Sequence, residues 1–154
     1  VSIMRRSTPA ALLILATMAF AANSIAATAP ADAIKYRKAV MSAMAAHTGA
    51  FSLINFGRVE HRDHLLAHVD ALAALGTQIK VLFPAGTETG DTDALPLIWQ
   101  EQEKFAQLLK ASEKSTAELR TAVAAGDKAA TMQAFKAVGE SCKGCHDRYR
   151  EKDD

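Results

Sequence analysis

Two cysteines, two tyrosines and one tryptophan are all that this 154-residue chain contains of those residue types. A single pair of thiols cannot build the disulfide framework of a small secreted scaffold. Long hydrophobic runs are missing as well. The apolar run from Ala10 to Ala22 covers 13 residues, short of the roughly 20 that a membrane-spanning helix needs. Charge of one sign is not in surplus either, with 18 Lys and Arg against 17 Asp and Glu, which argues against nucleic acid as a partner. No stretch alternates apolar and polar residues long enough to predict a strand. Nor does any nucleophile and base pattern point to hydrolase or transferase chemistry, so the chain does not read as an enzyme.

What the N-terminus does carry is a secretory leader. Arg5 and Arg6 precede the apolar run, and "SIAATA" offers small-residue cleavage sites near Ala26 to Ala29. Setting residues 1–27 aside leaves 127 residues, 28–154, a usual size for one domain with one core. Loss of Arg5 and Arg6 brings the balance to 16 basic against 17 acidic side chains. Export places the chain in the periplasm, with no membrane span once the leader is removed.

Alanine, leucine, lysine, glutamate and glutamine dominate what remains, which predicts an all-α protein. A first helix is expected from an Asp32 cap to about Asn55. A second runs from about Glu60 to Leu82, with Leu65, Val69, Leu72, Leu75, Ile79 and Leu82 along it. The Gly-, Thr-, Asp- and Pro-rich stretch "FPAGTETGDTDALP", residues 83–96, is then the longest non-helical connection. A third helix is expected from about Leu97 to Ala124. Gly126 and Asp127 form a C′ and N-cap pair, and the fourth helix runs from Lys128 to about Lys152. Two short connections and one long one fit an antiparallel four-helix bundle.

Both cysteines fall in "GESCKGCHDRYREK", residues 139–152. Cys142, Cys145 and His146 form a CxxCH motif, the attachment pattern for c-type haem. Its thiols add to the two vinyl groups of one porphyrin, and the adjoining imidazole binds the iron. In helical projection Met132, Phe135, Val138, Gly139, Cys142, His146 and Tyr149 share one side, with Cys145 at its border, so the motif lies on the apolar face. Gly139, unfavourable in a helix by about 1 kcal/mol relative to Ala, leaves room for a porphyrin edge. The competing readings are a disulfide, a thioredoxin-like redox pair and half of a zinc site. A thioredoxin-like pair wants a preceding strand, and zinc wants further cysteines or a second close histidine pair.

At these residues the chain resembles the class II c-type cytochromes, meaning cytochrome c prime and its methionine-ligated low-spin relatives. Besides "CKGCHDRYR", "KYRKAVMSAMAAH" (35–47) resembles the family's first helix and "FPAGTETGDTDALPLIW" (83–99) its loop into the third. The resemblance implies one covalent haem c packed near the C-terminal helix, between helices one and four, with the sixth iron position facing the first helix. Cys142 and Cys145 match the thioether positions and His146 the axial ligand. Arg37, Lys38, Thr87 and Glu88 match positions lining the haem and its propionates, Lys38 standing where relatives often have glutamine. Arg150 matches a basic residue beside the axial histidine, and Met41 a position that either binds the iron or only roofs the pocket.

Arg37 also reads as a carboxylate partner in its own right, four residues before Met41 on one helix face that continues through Ala45, Thr48 and Ser52. Met44 is expected on the packing stripe with Val40 and Phe51, His47 in the core or at its boundary, Trp99 as a packing residue and Met132 as core. His61, His64 and His68 fall within a narrow arc whose spacing could hold a metal, with a bundle end or subunit contact as the other reading. The expected function is a periplasmic monohaem carrier of single electrons serving redox partner proteins and forming a homodimer. A five-coordinate gas-binding protein is the rival, and a thiol switch the third reading.

Overall fold

The computed structural model describes residues 28–152, so the leader reading lies outside the described residues. Four long helices make an antiparallel bundle: α1 (Pro30–Asn55), α2 (Leu65–Gly76), α4 (Gln102–Ala124) and α5 (Lys128–Tyr149), with a one-turn α3 (Leu97–Gln100) leading into α4. The α4–α5 connection is short and the 83–96 loop crosses between the two hairpins, as the sequence predicts, while the α1–α2 connection, residues 56–64, is longer than expected. Among the described residues no helix is long and apolar enough to cross a membrane.

The helix ends differ from expectation for local reasons. Ala29, not Asp32, caps α1: Pro30 takes the first turn, where its missing N–H is no loss. Asp32 sits inside that turn, where a negative charge suits the helix N-terminus. The second helix is shorter than its apolar pattern, because a 3₁₀ turn at Arg62–His64 precedes it and Gly76 ends it. Ile79 and Leu82 still reach the core through a second 3₁₀ turn, Ile79–Val81.

Glu101 interrupts the expected third helix with φ −117° and ψ 47°. Its carboxylate accepts hydrogen bonds from Arg148 Nε at 2.7 Å and Nη2 at 2.5 Å, and from the Tyr149 hydroxyl at 3.1 Å. The bond from Arg148 holds the Glu101 carboxyl below the usual range. Its tie to α5 is therefore present above the ordinary carboxylate pKa and lost as pH falls through the lowered one. α5 in turn stops at Tyr149, because Arg150 turns extended and pairs with Ala94. Leu95 N donates to Tyr149 O at 2.9 Å and Glu151 N to Asp93 O at 2.8 Å, fastening the end of α5 to the long loop.

The core is divided. One cluster gathers Val40, Ile79, Leu82, Ile98, Phe105 and Tyr149, with Phe83, Phe105 and Tyr149 meeting edge to face. The other gathers Phe51, Ile54, Leu65, Val69, Leu119 and Val138, with Phe51 stacked on Phe135 at 4.8 Å between ring centroids. Met132 belongs to neither: it is half exposed, on the outer side of α5, against its reading as core. α1 pairs with α2, α2 with α4 and α4 with α5, and the gap between the two clusters opens where α1 and α5 face each other.

The break between α4 and α5 follows the sequence closely. Gly126 takes φ 69°, and the Asp127 side chain accepts a hydrogen bond from Ala130 N at 3.0 Å. Asp127→Ala is expected to destabilise the protein by about 1 kcal/mol in chemical denaturation, the usual size for loss of an N-cap.

Candidate functional site

Between the clusters lies a cavity of about 760 Å³, towards the upper end of the range for small-molecule and cofactor sites. α5 contributes Phe135, Val138, Gly139, Cys142, Cys145, His146 and Tyr149. α1 contributes Arg37, Met41, Ala45, Thr48 and Ser52, the face that the sequence assigned to it. α4 adds Phe105, Leu108, Leu109, Ser112 and Thr116. The cavity persists because side chains such as Ala45, Thr48, Gly49, Ser52 and Ser112 are too short to fill a space between helices held apart by the aromatics at either end. A Cβ built on Gly139 meets no atom within 4 Å, so glycine here adds to open space and is not forced by a clash.

Cys142 and Cys145 are free thiols, both half-buried. Burial raises the pKa of both, and that of Cys145 is pushed up to about 11, with Cys142 beside it adding to the rise. They are thus neutral thiols at neutral pH, unlike the low-pKa cysteines of thiol redox switches. Nor do they belong to a metal-sized cluster: among the described residues the one group of three such donors is His61, Asp63 and His64. His146 stands at the open edge of the cavity. The apolar wall beside it, and then the Arg150 charge, lower its pKa, so the neutral imidazole with a free lone pair dominates at neutral pH.

Arg37 is the charged centre of the opposite wall. It is 3% exposed, yet no carboxylate of the described residues lies within ion-pair distance of it. Nη1 donates to Leu82 O at 3.2 Å and Thr87 Oγ1 at 3.0 Å; Nη2 donates to Thr87 O at 3.2 Å and Thr92 Oγ1 at 2.6 Å. Its guanidinium carbon lies 4.8 Å from the Phe83 ring centroid and 5.8 Å from that of Trp99. Desolvation lowers its pKa and Glu88 partly restores it, but a guanidinium stays charged at any ordinary pH. A buried cation whose hydrogen bonds all go to neutral acceptors is suited to an incoming carboxylate.

The other matched positions divide. Lys38 and Arg150 line the cavity with Arg37, Met41 and the CxxCH residues; Thr87 and Glu88 do not. Lys38 also binds Asp91 Oδ1 at 2.9 Å, tying α1 to the loop. Thr87 is buried behind Arg37, accepting from it and donating to Pro84 O at 2.8 Å, and so acts on the cavity through the arginine. The loop turns at Gly90, whose φ of 112° favours glycine. Trp99 donates from Nε1 to Phe83 O at 3.1 Å and lies outside the cavity wall.

Sequence reasoning missed the α4 wall, Thr92 and the cavity placement of Met44, which lines the space beside Met41 while also packing on the first cluster. Thr92 sat in plain view in a Thr- and Asp-rich loop, the composition that supplies neutral acceptors to a buried arginine. No periodicity pattern distinguishes an α4 face on a cavity from one in a core.

The fold and this cavity define a class: a helical-bundle haem protein, with two thiols and an imidazole converging from one helix. The sequence model described as Cytochrome C' matches residues 32–150. Cytochrome c' of Alcaligenes xylosoxydans xylosoxydans is 37% identical over 124 residues, 80% of this chain and 96% of that protein. Among solved structures, cytochrome c prime from Shewanella frigidimarina matches at 35% identity and TM-score 0.77, covering 82% of this chain and 99% of that one. A nitric oxide complex of a cytochrome c prime variant from Alcaligenes xylosoxidans matches at 36% identity and TM-score 0.76, covering 82% and 99%. The chain belongs to the cytochrome c' family, whose members carry one covalent c-type haem.

Arg37→Met is expected to destabilise the protein by about 3 kcal/mol, because the Leu82 and Thr87 carbonyls and the Thr92 hydroxyl lose their donor together. Denaturation midpoints measure the loss, and faster protease cleavage within residues 83–96 locates it. Arg37→Lys should recover only part, since an ammonium cannot reproduce the four-bond fork.

Proposed function

We propose that this protein is a periplasmic monohaem carrier of single electrons, with the haem held by Cys142 and Cys145 as thioethers and by His146 as axial ligand, and with Met41 as the second axial ligand. The observation that carries this reading is that the Met41 thioether position on α1 and the His146 imidazole on α5 line one apolar cavity. When bound, the haem supplies a one-electron iron couple whose potential follows its axial ligands, burial and hydrogen bonding. The chain's own residues set those conditions. His146 offers a neutral imidazole, Arg37 and Lys38 offer positive charge for the propionates, and the apolar walls exclude water. Residues 1–27 act as the export leader for a mature domain of 28–154.

The second reading, a gas-binding protein with an open sixth position, is supported by the nitric oxide complex of the Alcaligenes xylosoxidans relative. On that reading Met41 roofs the pocket without binding iron. Exposed Leu53, Phe56 and Val59 at and just beyond the end of α1 support a homodimer formed through α1 and α2. Sedimentation at high micromolar concentration is expected to give a dimer, and a monomer there would remove that part.

Both thiols should be needed for full attachment. Cys142→Ala and Cys145→Ala are each expected to yield at most a singly linked, poorly matured haem protein. Mass spectrometry of the denatured wild type should show one covalent haem. The spectrum of Met41→Leu beside wild type separates the two readings. Ligation predicts a low-spin wild type whose variant becomes high-spin and gains carbon monoxide affinity; a wild type already high-spin would refute ligation and select the gas-binding reading.

A further inference from the structure

Four of the five histidines take no part in the haem site, and two of them, with one aspartate, lie in the segment between α1 and α2. Within "EHRDH" the backbone forms the 3₁₀ turn Arg62–His64, closed by a hydrogen bond from His64 N to His61 O at 2.9 Å. In such a turn side chains at i and i+3 eclipse one another, which brings His61 and His64 to one side. Their rings lie nearly parallel, 14° apart in plane and 5.0 Å between centroids. Asp63 Oδ2 lies 3.5 Å from His64 Nε2. One ligand atom from each of His61, Asp63 and His64 lies within 4.8 Å of the others.

We propose that His61, Asp63 and His64 bind one divalent transition-metal ion of the Zn²⁺ class. Two imidazoles and a carboxylate are borderline ligands that suit such ions. At metal–ligand distances of about 2.1 Å, tetrahedral donors stand about 3.4 Å apart. The observed spacing therefore closes by movement of roughly 1 Å in side chains that are all exposed. Apart from the Asp63–His64 contact inside the group, no hydrogen bond or ion pair with another described residue engages these three side chains. His47 and His68 are different: their Nδ1 atoms lie 3.0 Å apart between α1 and α2, and both rings are half-buried. They are committed to each other and stand outside the site. Three protein ligands leave a fourth position to water.

The test is calorimetric titration of Zn²⁺ into the untagged, haem-loaded protein, with His61→Ala, His64→Ala and Asp63→Asn variants. All three positions are exposed, so the variants keep the fold, which the unchanged haem spectrum verifies. Saturation at one Zn²⁺ per chain is expected in the wild type. Each histidine variant should weaken it by more than the roughly 10-fold to 100-fold that loss of an outer-shell partner brings, and Asp63→Asn should weaken it less. Absence of saturable binding, a stoichiometry other than one per chain, or an affinity unchanged in His61→Ala and His64→Ala would each overturn the proposal.

Discussion

The separation of α1 from α5 governs this molecule. Two apolar clusters, one around Phe105 and Tyr149 and one around Phe51 and Phe135, close the bundle at either end and leave the cavity between them. A bundle of these helices could collapse into that space only by giving up aromatic contacts at one end. The short side chains on the α1 face, Ala45, Thr48 and Ser52, lack the bulk to fill it. Dense packing is the rule for protein interiors, so an apolar gap of this size belongs to a bound group, and in the cytochrome c' family that group is haem.

Everything around the gap serves to hold its two walls. On one side Arg37 reaches from α1 to the long loop, making three hydrogen bonds to Thr87 and Thr92 within it and one to Leu82 O just before it. The same loop runs on to pair with the end of α5 through Ala94 and Arg150. Glu101 grips Arg148 and Tyr149 just beyond the CxxCH motif. Thus the helix bearing Arg37, an irregular loop and the helix bearing the CxxCH motif form one connected structure. The loop is thereby fastened to both walls.

The bundle was legible because its helices are amphipathic with capped or glycine-marked ends, as at Gly126 and Asp127. The motif Cys142, Cys145 and His146 was legible because thioether attachment demands that spacing, and the α1 face through Met41 because helical period alone selects it. The breaks at Glu101 and Arg150 were not, since each rests on partners distant in sequence, Arg148 and Tyr149 for one and Ala94 for the other. The exposure of Met132 was hidden for a related reason: a methionine at the edge of an apolar stripe reads as core until the neighbouring helix is placed. Thr87 shows a third limit. Its position matched the haem environment, and the atoms it meets belong to Arg37.

The central claim is that the divided core is completed by the haem. Missing contacts of that extent amount to several kcal/mol, set against a total stability of roughly 5–15 kcal/mol. Thermal unfolding followed by circular dichroism, with and without covalent haem, measures it directly. A cooperative, high-temperature transition for the haem-loaded chain and a strongly lowered or non-cooperative one for the haem-free chain is the predicted result; equal stability of the two would contradict it.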